Sequence, residues 1–330
     1  MVKNIHSDIP NQLFQIKLVF LDTKTIGTIP NQHLLDQFGE VIYYPTTQPD
    51  QTWERIRQAD IVMTNKVVLN REMIASTEKL KLICVAATGT NNIDKAAALK
   101  REIPVKNVSD YSTNSVAQGT FALLLHLLNK LSYFDQYVKQ GFYSASDIFT
   151  HFGRSFRELT GKRFGIIGLG ISQAGCQDCD SLWYGCSLLF CFRSKHRAAL
   201  RLELEEFLSS TDIVSIHAPL NEFTFNLINY DRLRLMKRSA ILLNAGRGEI
   251  VNEADLARAL NEDLIAGAGV NVFSKEPIVP ENPLVQENNP EKIVLAPHIT
   301  WASIESRTLL MEKISKNIKE FIKENRTIPP

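Results

Sequence analysis

A chain of 330 residues, 44% hydrophobic and 22% charged, has material for two domains with ample cores and the balance of a water-soluble globular protein. Its 37 basic and 36 acidic residues leave a formal net charge of +1, which excludes the electrostatic footprint of a nucleic-acid or membrane-surface binder and points to a small partner. The N-terminal stretch around His6 and Asp8 lacks the apolar core of a secretory signal, and no run approaches the ~18 apolar residues of a membrane span, so a cytoplasmic location is expected.

Short apolar, β-rich runs alternate with helix-like segments from the start: Ile16 to Leu21, Val41 to Tyr44, Ile61 to Thr64, Leu80 to Ala87 and Val105 to Val108. That alternation predicts a parallel sheet covered by helices. Asp110-Tyr111-Ser112-Thr113 then offers capping residues ahead of the apolar segment Val116 to Leu128. This segment is too short to cross a bilayer and reads as a buried core helix or a bridge between domains. After an irregular, aromatic-dotted stretch from Phe142 to Phe156, a second series opens at Gly161-Lys162-Arg163. Its strand candidates are Phe164 to Ile167, Leu188 to Phe192, Ile213 to His217, Ala240 to Asn244, Ala268 to Phe273 and Ile293 to Ala296. Six strands with intervening helices suit a doubly wound nucleotide-binding domain. The amphipathic segment Ile304 to Ile322 carries Leu309, Leu310, Ile314, Ile318 and Phe321 at helical spacing, and this stripe should pack back on the first unit. One domain is thereby expected from residues 1–108 and 298–330, with residues 109–297 inserted as the nucleotide-binding domain.

Of the five cysteines, Cys176, Cys179, Cys186 and Cys191 crowd together at a spacing that superficially suggests zinc. Cys176 and Cys179 fall in a predicted helix and Cys191 in a predicted strand, not on the tight knuckles that present thiolates to a metal. They read as reduced, buried side chains, and no metal is expected.

Gly168-Leu169-Gly170 directly follows the strand Phe164 to Ile167, where two glycines permit a tight turn and close approach of backbone to a pyrophosphate. The pattern wants a third glycine at the position of Gln173, which predicts a displaced helix start or a looser pyrophosphate fit. The second strand ends in Phe192-Arg193-Ser194-Lys195. No acid stands there to hold a ribose 2′-hydroxyl, and the cations suit a 2′-phosphate, which favours NADP over NAD.

Three successive strand candidates lead into Asn244-Ala245-Gly246-Arg247-Gly248, Glu276-Pro277 and Pro297-His298. An arginine, an acid and a histidine in these positions supply a cation for an acid substrate and a titratable proton donor steadied by a carboxylate. Reduction of a 2-keto acid needs that set. Together with Ala86-Ala87-Thr88-Gly89-Thr90-Asn91-Asn92-Ile93-Asp94, Ser115-Val116-Ala117, Gly165 to Gly170, His217-Ala218-Pro219-Leu220 and Val272-Phe273, these motifs cover nearly the whole chain. It resembles the D-isomer-specific 2-hydroxyacid dehydrogenases, most closely their glycerate dehydrogenase and hydroxypyruvate or glyoxylate reductase branch.

The resemblance implies an α/β fold of two doubly wound parallel-sheet domains, with a Rossmann-type nucleotide-binding domain inserted into a flavodoxin-like substrate domain. It also implies hydride transfer between NAD or NADP and a small 2-keto or D-2-hydroxy acid, with glyoxylate, hydroxypyruvate and glycerate as candidates. Arg247 would hold the substrate carboxylate and keto oxygen. His298 would exchange the proton, and Glu276 would pair with it and favour imidazolium. Backbone N–H groups at Thr88 and Gly89 would receive the substrate carboxylate from the opposite domain. Cofactor contacts would fall at Thr88, Gly168, Gly170, Ile171, Ser172, Arg193, Ser194, Ala218, Ala245, Arg247, Asn271 and His298.

Four residues depart from the family pattern. Asn271 stands where Asp is usual, near the nicotinamide carboxamide; Gln118 replaces Glu; Glu249 replaces a small glycine beside Arg247; and Gln173 breaks the glycine pattern. Two readings follow: a working reductase with altered cofactor affinity, or a catalytically impaired paralogue such as a dinucleotide-sensing protein of the C-terminal-binding-protein corepressor type. The near-neutral charge gives the second no support. His217 reads as a strand-end neighbour of the cofactor, and His126 and His151 as structural. Asn65, Lys66 and Trp301 are pocket-wall or packing residues. A homodimer is expected through the Val116 to Leu128 helix and the aromatic stretch after Tyr133.

Overall fold

The structure is a computed structural model that describes residues 16–168, 187–191, 200–286 and 288–325, with backbone alone at 187–191, 200 and 201. The chain divides into two compact units, Met1–Ser112 with Ala302–Pro330, and Thr113–Trp301. These boundaries lie beyond the expected ones at 108/109 and 297/298 because the residues after Pro297 stay bonded to the second unit: His298 N donates to Asn271 O and Thr300 N to Asn271 Oδ1.

The first unit is a five-stranded parallel sheet of β1 (Lys17–Phe20), β2 (Glu40–Tyr43), β3 (Ile61–Thr64), β4 (Leu82–Val85) and β5 (Val105–Lys106), in the order β2-β1-β3-β4-β5. β3 and β4 are buried along their whole length, the condition that permits unbroken apolar runs in a doubly wound sheet. Helices α1 (Pro49–Ile56), α2 (Arg71–Ser76) and α3 (Lys95–Lys100) connect the strands. Asn70 caps α2 by accepting from Met73 N, and Asp94 caps α3 by accepting from Ala97 N. The C-terminal helix Ile304–Glu324, capped by Ser303, returns to β4 with Leu310, Ile314 and Ile318 fully buried. Leu309, expected on that stripe, faces outward, and Met311 takes its place in the core. Cys84 lies buried in β4, where burial pushes its thiol up to about 12, so it is no nucleophile near neutral pH.

The second unit begins with α4 (Thr113–Asn129) and α5 (Leu131–Lys139). α4 is a core helix of this unit: it packs on the sheet through Phe121, Leu123, Leu124 and Leu127, and the Phe121 ring stacks on Phe164 at 5.7 Å. The sheet runs through β6 (Arg163–Ile167), β7 (Ser187–Cys191), β8 (Leu200–Arg201), β9 (Ile213–Ile216), β10 (Ile241–Asn244), β11 (Gly267–Val270) and β12 (Ile293–Leu295). All pairings are parallel, in the order β12-β11-β10-β9-β6-β7-β8. The chain winds from β6 outward to β7 and β8, then crosses to β9 on the other side. The β6/β9 border is therefore the topological switch point, the place where ligands of such sheets bind. Helices α6 (Leu204–Ser210), α7 (Tyr230–Leu235) and α8 (Glu253–Asn261) bury Phe207, Leu208, Leu233, Leu256 and Leu260 against this sheet. No described helix is long and apolar enough to cross a membrane.

Candidate active site

The site is assembled by the loops that leave β10, β11 and β12. β10 ends at Asn244, whose buried amide turns the chain: its Oδ1 accepts from Gly246 N at 3.1 Å and its Nδ2 donates to Arg247 O at 3.1 Å. Ala245 N still reaches Ile216 O of β9. Arg247 follows in extended backbone, half-buried, with Nη1 on Gly246 O at 2.8 Å. Gly248 is needed next: a Cβ there would lie 1.9 Å from Phe273 C and 2.2 Å from Phe273 O. The arginine loop and the loop after β11 are thus pressed backbone to backbone, a contact closed to any side chain.

The loop after β11 supplies the acid. Glu276 Oε1 accepts from Phe273 N at 3.1 Å, and Oε2 meets His298 Nδ1 at 2.7 Å. A carboxylate at Nδ1 favours the Nδ1–H tautomer of a neutral ring and leaves Nε2 unengaged by it. His298 has a left-handed backbone (φ 51) stabilised by its N–H, which reaches both Asn271 O and Ala296 O at 2.9 Å. The next two residues are clamped by Asn271: its Oδ1 accepts from Ile299 N at 2.9 Å and Thr300 N at 3.2 Å, and its Nδ2 donates to Thr300 Oγ1 at 2.8 Å. Ser115 of α4 donates to Thr300 O at 2.7 Å. Arg247, Glu276 and His298 thus stand on loops from three adjacent strands, and Glu276 and His298 are joined directly.

Asn271, expected beside a nicotinamide carboxamide, accepts from two backbone N–H groups through its oxygen and so bonds the His298 loop. Glu249, expected to bring an acid to Arg247, is exposed and forms no ion pair with it among the described residues. Gln118 is exposed on α4. Gly170, Ile171, Ser172, Gln173, Arg193, Ser194 and Lys195 lie outside the described residues, as do Cys176, Cys179 and Cys186. In the first unit, Thr88 and Gly89 follow β4. The Thr88 hydroxyl donates to Val108 O at 3.1 Å, and its carbonyl accepts from Asn107 Nδ2 at 2.6 Å. The backbone N–H groups of Thr88 and Gly89 have no acceptor among the described residues. The buried Asn65 donates its amide Nδ2 to Thr25 Oγ1 at 3.1 Å. His126 bonds Ser132, and His151 bonds Tyr133 and stacks on Tyr137 at 3.6 Å. Sequence reading missed the supports at Thr300 and Ser115. A hydroxyl near a strand end carries no sequence signal of what it clamps.

The switch point tests whether a dinucleotide fits. Gly168 (φ 92) follows β6, and a Cβ there would lie 2.5 Å from the backbone of Ala218 after β9, so a smooth floor runs beneath the strand ends. Beside it, His217 is 8% exposed; its Nε2 bonds Ser215 Oγ at 2.8 Å while its buried Nδ1 has no partner among the described residues. Backbone floor and unsatisfied polar atom together suit a bound polar ligand.

Burial pushes the His217 imidazole down to about 4. The unfolded chain takes up this proton near pH 6.5 and the folded one only near 4. The neutral histidine therefore contributes its stability above pH 6.5, and that contribution is lost as pH falls towards 4, by roughly 3 kcal/mol. Urea unfolding across that window should show a shallower loss in His217→Gln than in the parent. Equal slopes would remove His217 as the cause.

The family model for the D-isomer specific 2-hydroxyacid dehydrogenase NAD-binding domain matches residues 121–300. A hydroxypyruvate reductase from Blautia hydrogenotrophica is 36% identical over 298 residues, covering 88% of this chain and 91% of the relative. A glycerate dehydrogenase from Methylorubrum extorquens is 34% identical over 308 residues, covering 93% and 96%. Among solved structures, the NADPH-dependent glyoxylate/hydroxypyruvate reductase of Sinorhizobium meliloti in complex with citrate superposes with a TM-score of 0.79 at 25% identity, covering 93% of this chain and 95% of that one.

Proposed function

This chain belongs to the D-isomer specific 2-hydroxyacid dehydrogenases and is an NAD(P)-dependent oxidoreductase, and from there we propose that it reduces glyoxylate and hydroxypyruvate with NADPH. The observation that carries the reading is the 2.7 Å pairing of His298 Nδ1 with Glu276 Oε2, on loops packed against the arginine loop.

The reduced nicotinamide, when bound, supplies a hydride to the keto carbon. Gly168, Ala218 and Ala245 would line its seat at the switch point, with His217 Nδ1 as a polar contact. Arg247 binds the substrate through its planar donors, which match a carboxylate and the adjacent keto oxygen. In the first unit, the backbone N–H groups of Thr88 and Gly89, without an acceptor among the described residues, suit a carboxylate. As negative charge develops on the keto oxygen, His298 Nε2 delivers a proton to it. Glu276 holds the ring in place and balances the imidazolium charge before transfer. The keto acid gains one hydride and one proton and leaves as the 2-hydroxy acid; in the oxidative direction His298 Nε2 takes the hydroxyl proton. Arg193 and Ser194 favour the 2′-phosphate of NADP.

The test is absorbance loss of NADPH or NADH on adding a panel of small 2-keto acids. Turnover with glyoxylate or hydroxypyruvate is expected, faster with NADPH, and no loss with either cofactor would reject the reading. The reading also places the protein in the cytoplasm, with its nicotinamide pool, and as a homodimer. Phe149 and Phe152, exposed at 90% and 82% on the segment after α5, support an interface there. Sedimentation should give about twice the 37.3 kDa of one chain, and a one-chain mass would overturn the dimer.

A further inference from the structure

Asp22 sits at the end of β1, 3% exposed, at the start of a 3-10 turn that it does not cap. Its carboxylate reaches instead across the sheet to the loop after β3, 43 residues away in sequence for Asn65. Oδ1 accepts from Asn65 N at 2.9 Å, and Oδ2 accepts from Lys66 N at 2.7 Å and Val67 N at 3.3 Å. A buried carboxylate is costly unless donors replace its water. Here three successive backbone N–H groups do so, and in return the carboxylate fixes that loop's shape.

The anchored loop is zipped to the one after β4. Leu69 N donates to Asn92 O at 2.9 Å and Asp94 N to Leu69 O at 3.0 Å, forming a parallel bridge between Leu69 and Ile93. Asn92 Nδ2 closes the contact on Val67 O at 3.0 Å. Thr88 and Gly89, whose N–H groups have no acceptor among the described residues, belong to this second loop. β1 and β3 flank the topological switch of the first unit's sheet, where chain reversal opens a crevice at the strand ends.

We propose that Asp22 is a positioning residue for substrate: through the 65–69 loop and Asn92 it holds the Thr88–Gly89 donors of the first unit in a conformation that can receive a carboxylate. This rests on the keto-acid reading of the site. In Asp22→Asn an amide N–H replaces one acceptor and opposes the loop's own N–H groups, and the charge-assisted bonds are lost. Asn92→Ala removes only the clasp, from a half-buried position.

The experiment compares the parent, Asp22→Asn and Asn92→Ala in three measurements: KM and kcat for glyoxylate, NADPH affinity by fluorescence titration, and hydrogen exchange of peptides spanning residues 64–94. Expected in both variants are a KM raised about tenfold, kcat and NADPH affinity within about threefold of the parent, and faster exchange at 86–93, since a tenfold change is about 1.4 kcal/mol. Unchanged KM and unchanged exchange in Asn92→Ala would overturn the proposal. If Asp22→Asn fails to fold, Asn92→Ala decides alone. A parent inactive on every keto acid would reject the functional reading, while the exchange data would still test whether the clasp orders the Thr88 loop.

Discussion

Replacing His298 with alanine should lower kcat for glyoxylate reduction by about 10²–10⁴-fold while leaving nucleotide affinity within about twofold. The asymmetry follows from the geometry. In the proposed reaction His298 supplies the proton, and Glu276 binds its other ring nitrogen at 2.7 Å, so truncation should remove the proton donor. The loop itself is stabilised by other groups: the His298 N–H on Asn271 O and Ala296 O, and Asn271 on Ile299 and Thr300. Those bonds survive truncation of the ring, so the nucleotide seat at Gly168 and Ala218 should be undisturbed. Steady-state rates and a fluorescence titration measure the two quantities separately. Equal losses in both would make His298 a structural residue.

Gly248→Ala should cost nearly as much through a different route. A methyl group 1.9 Å from Phe273 C has no space, so the arginine loop and the glutamate loop must separate by about 1 Å or more. Overpacking of this kind costs about 1–3 kcal/mol of stability. A displacement of that size between groups acting on one substrate costs about 100-fold in rate. The expected result is a kcat/KM lowered about 100-fold with a modestly lower urea midpoint. Activity equal to the parent's would mean that the two loops need not touch for catalysis.

The strands of both sheets were legible because both faces of each sheet are covered, so Ile61–Thr64, Leu82–Val85 and Ile241–Asn244 read as uninterrupted apolar runs. Leu200–Arg201 was not, since no apolar, β-rich run marks it. The arginine, acid and histidine were readable from their places after successive strands. Their supports were harder. Asn271 at a strand end is compatible with a ligand contact or with a loop clamp, because a carboxamide both donates and accepts; its bonds to Ile299 and Thr300 appear only in three dimensions. Asp22 reads as an ordinary residue after a strand, and its partners lie a full βαβ unit away. The split after Trp301 depends likewise on bonds from the His298 loop back to Asn271, which hydrophobic periodicity does not register.

If the Arg247, Glu276 and His298 loops reduce a 2-keto acid as proposed, the product carries the stereochemistry of the D-isomer family. Hydroxypyruvate is to be reduced by the purified chain with excess NADPH and the product resolved by chiral chromatography. The predicted result is D-glycerate as the sole enantiomer, formed in equal amount to the NADPH consumed; L-glycerate, a racemate or no glycerate would contradict it.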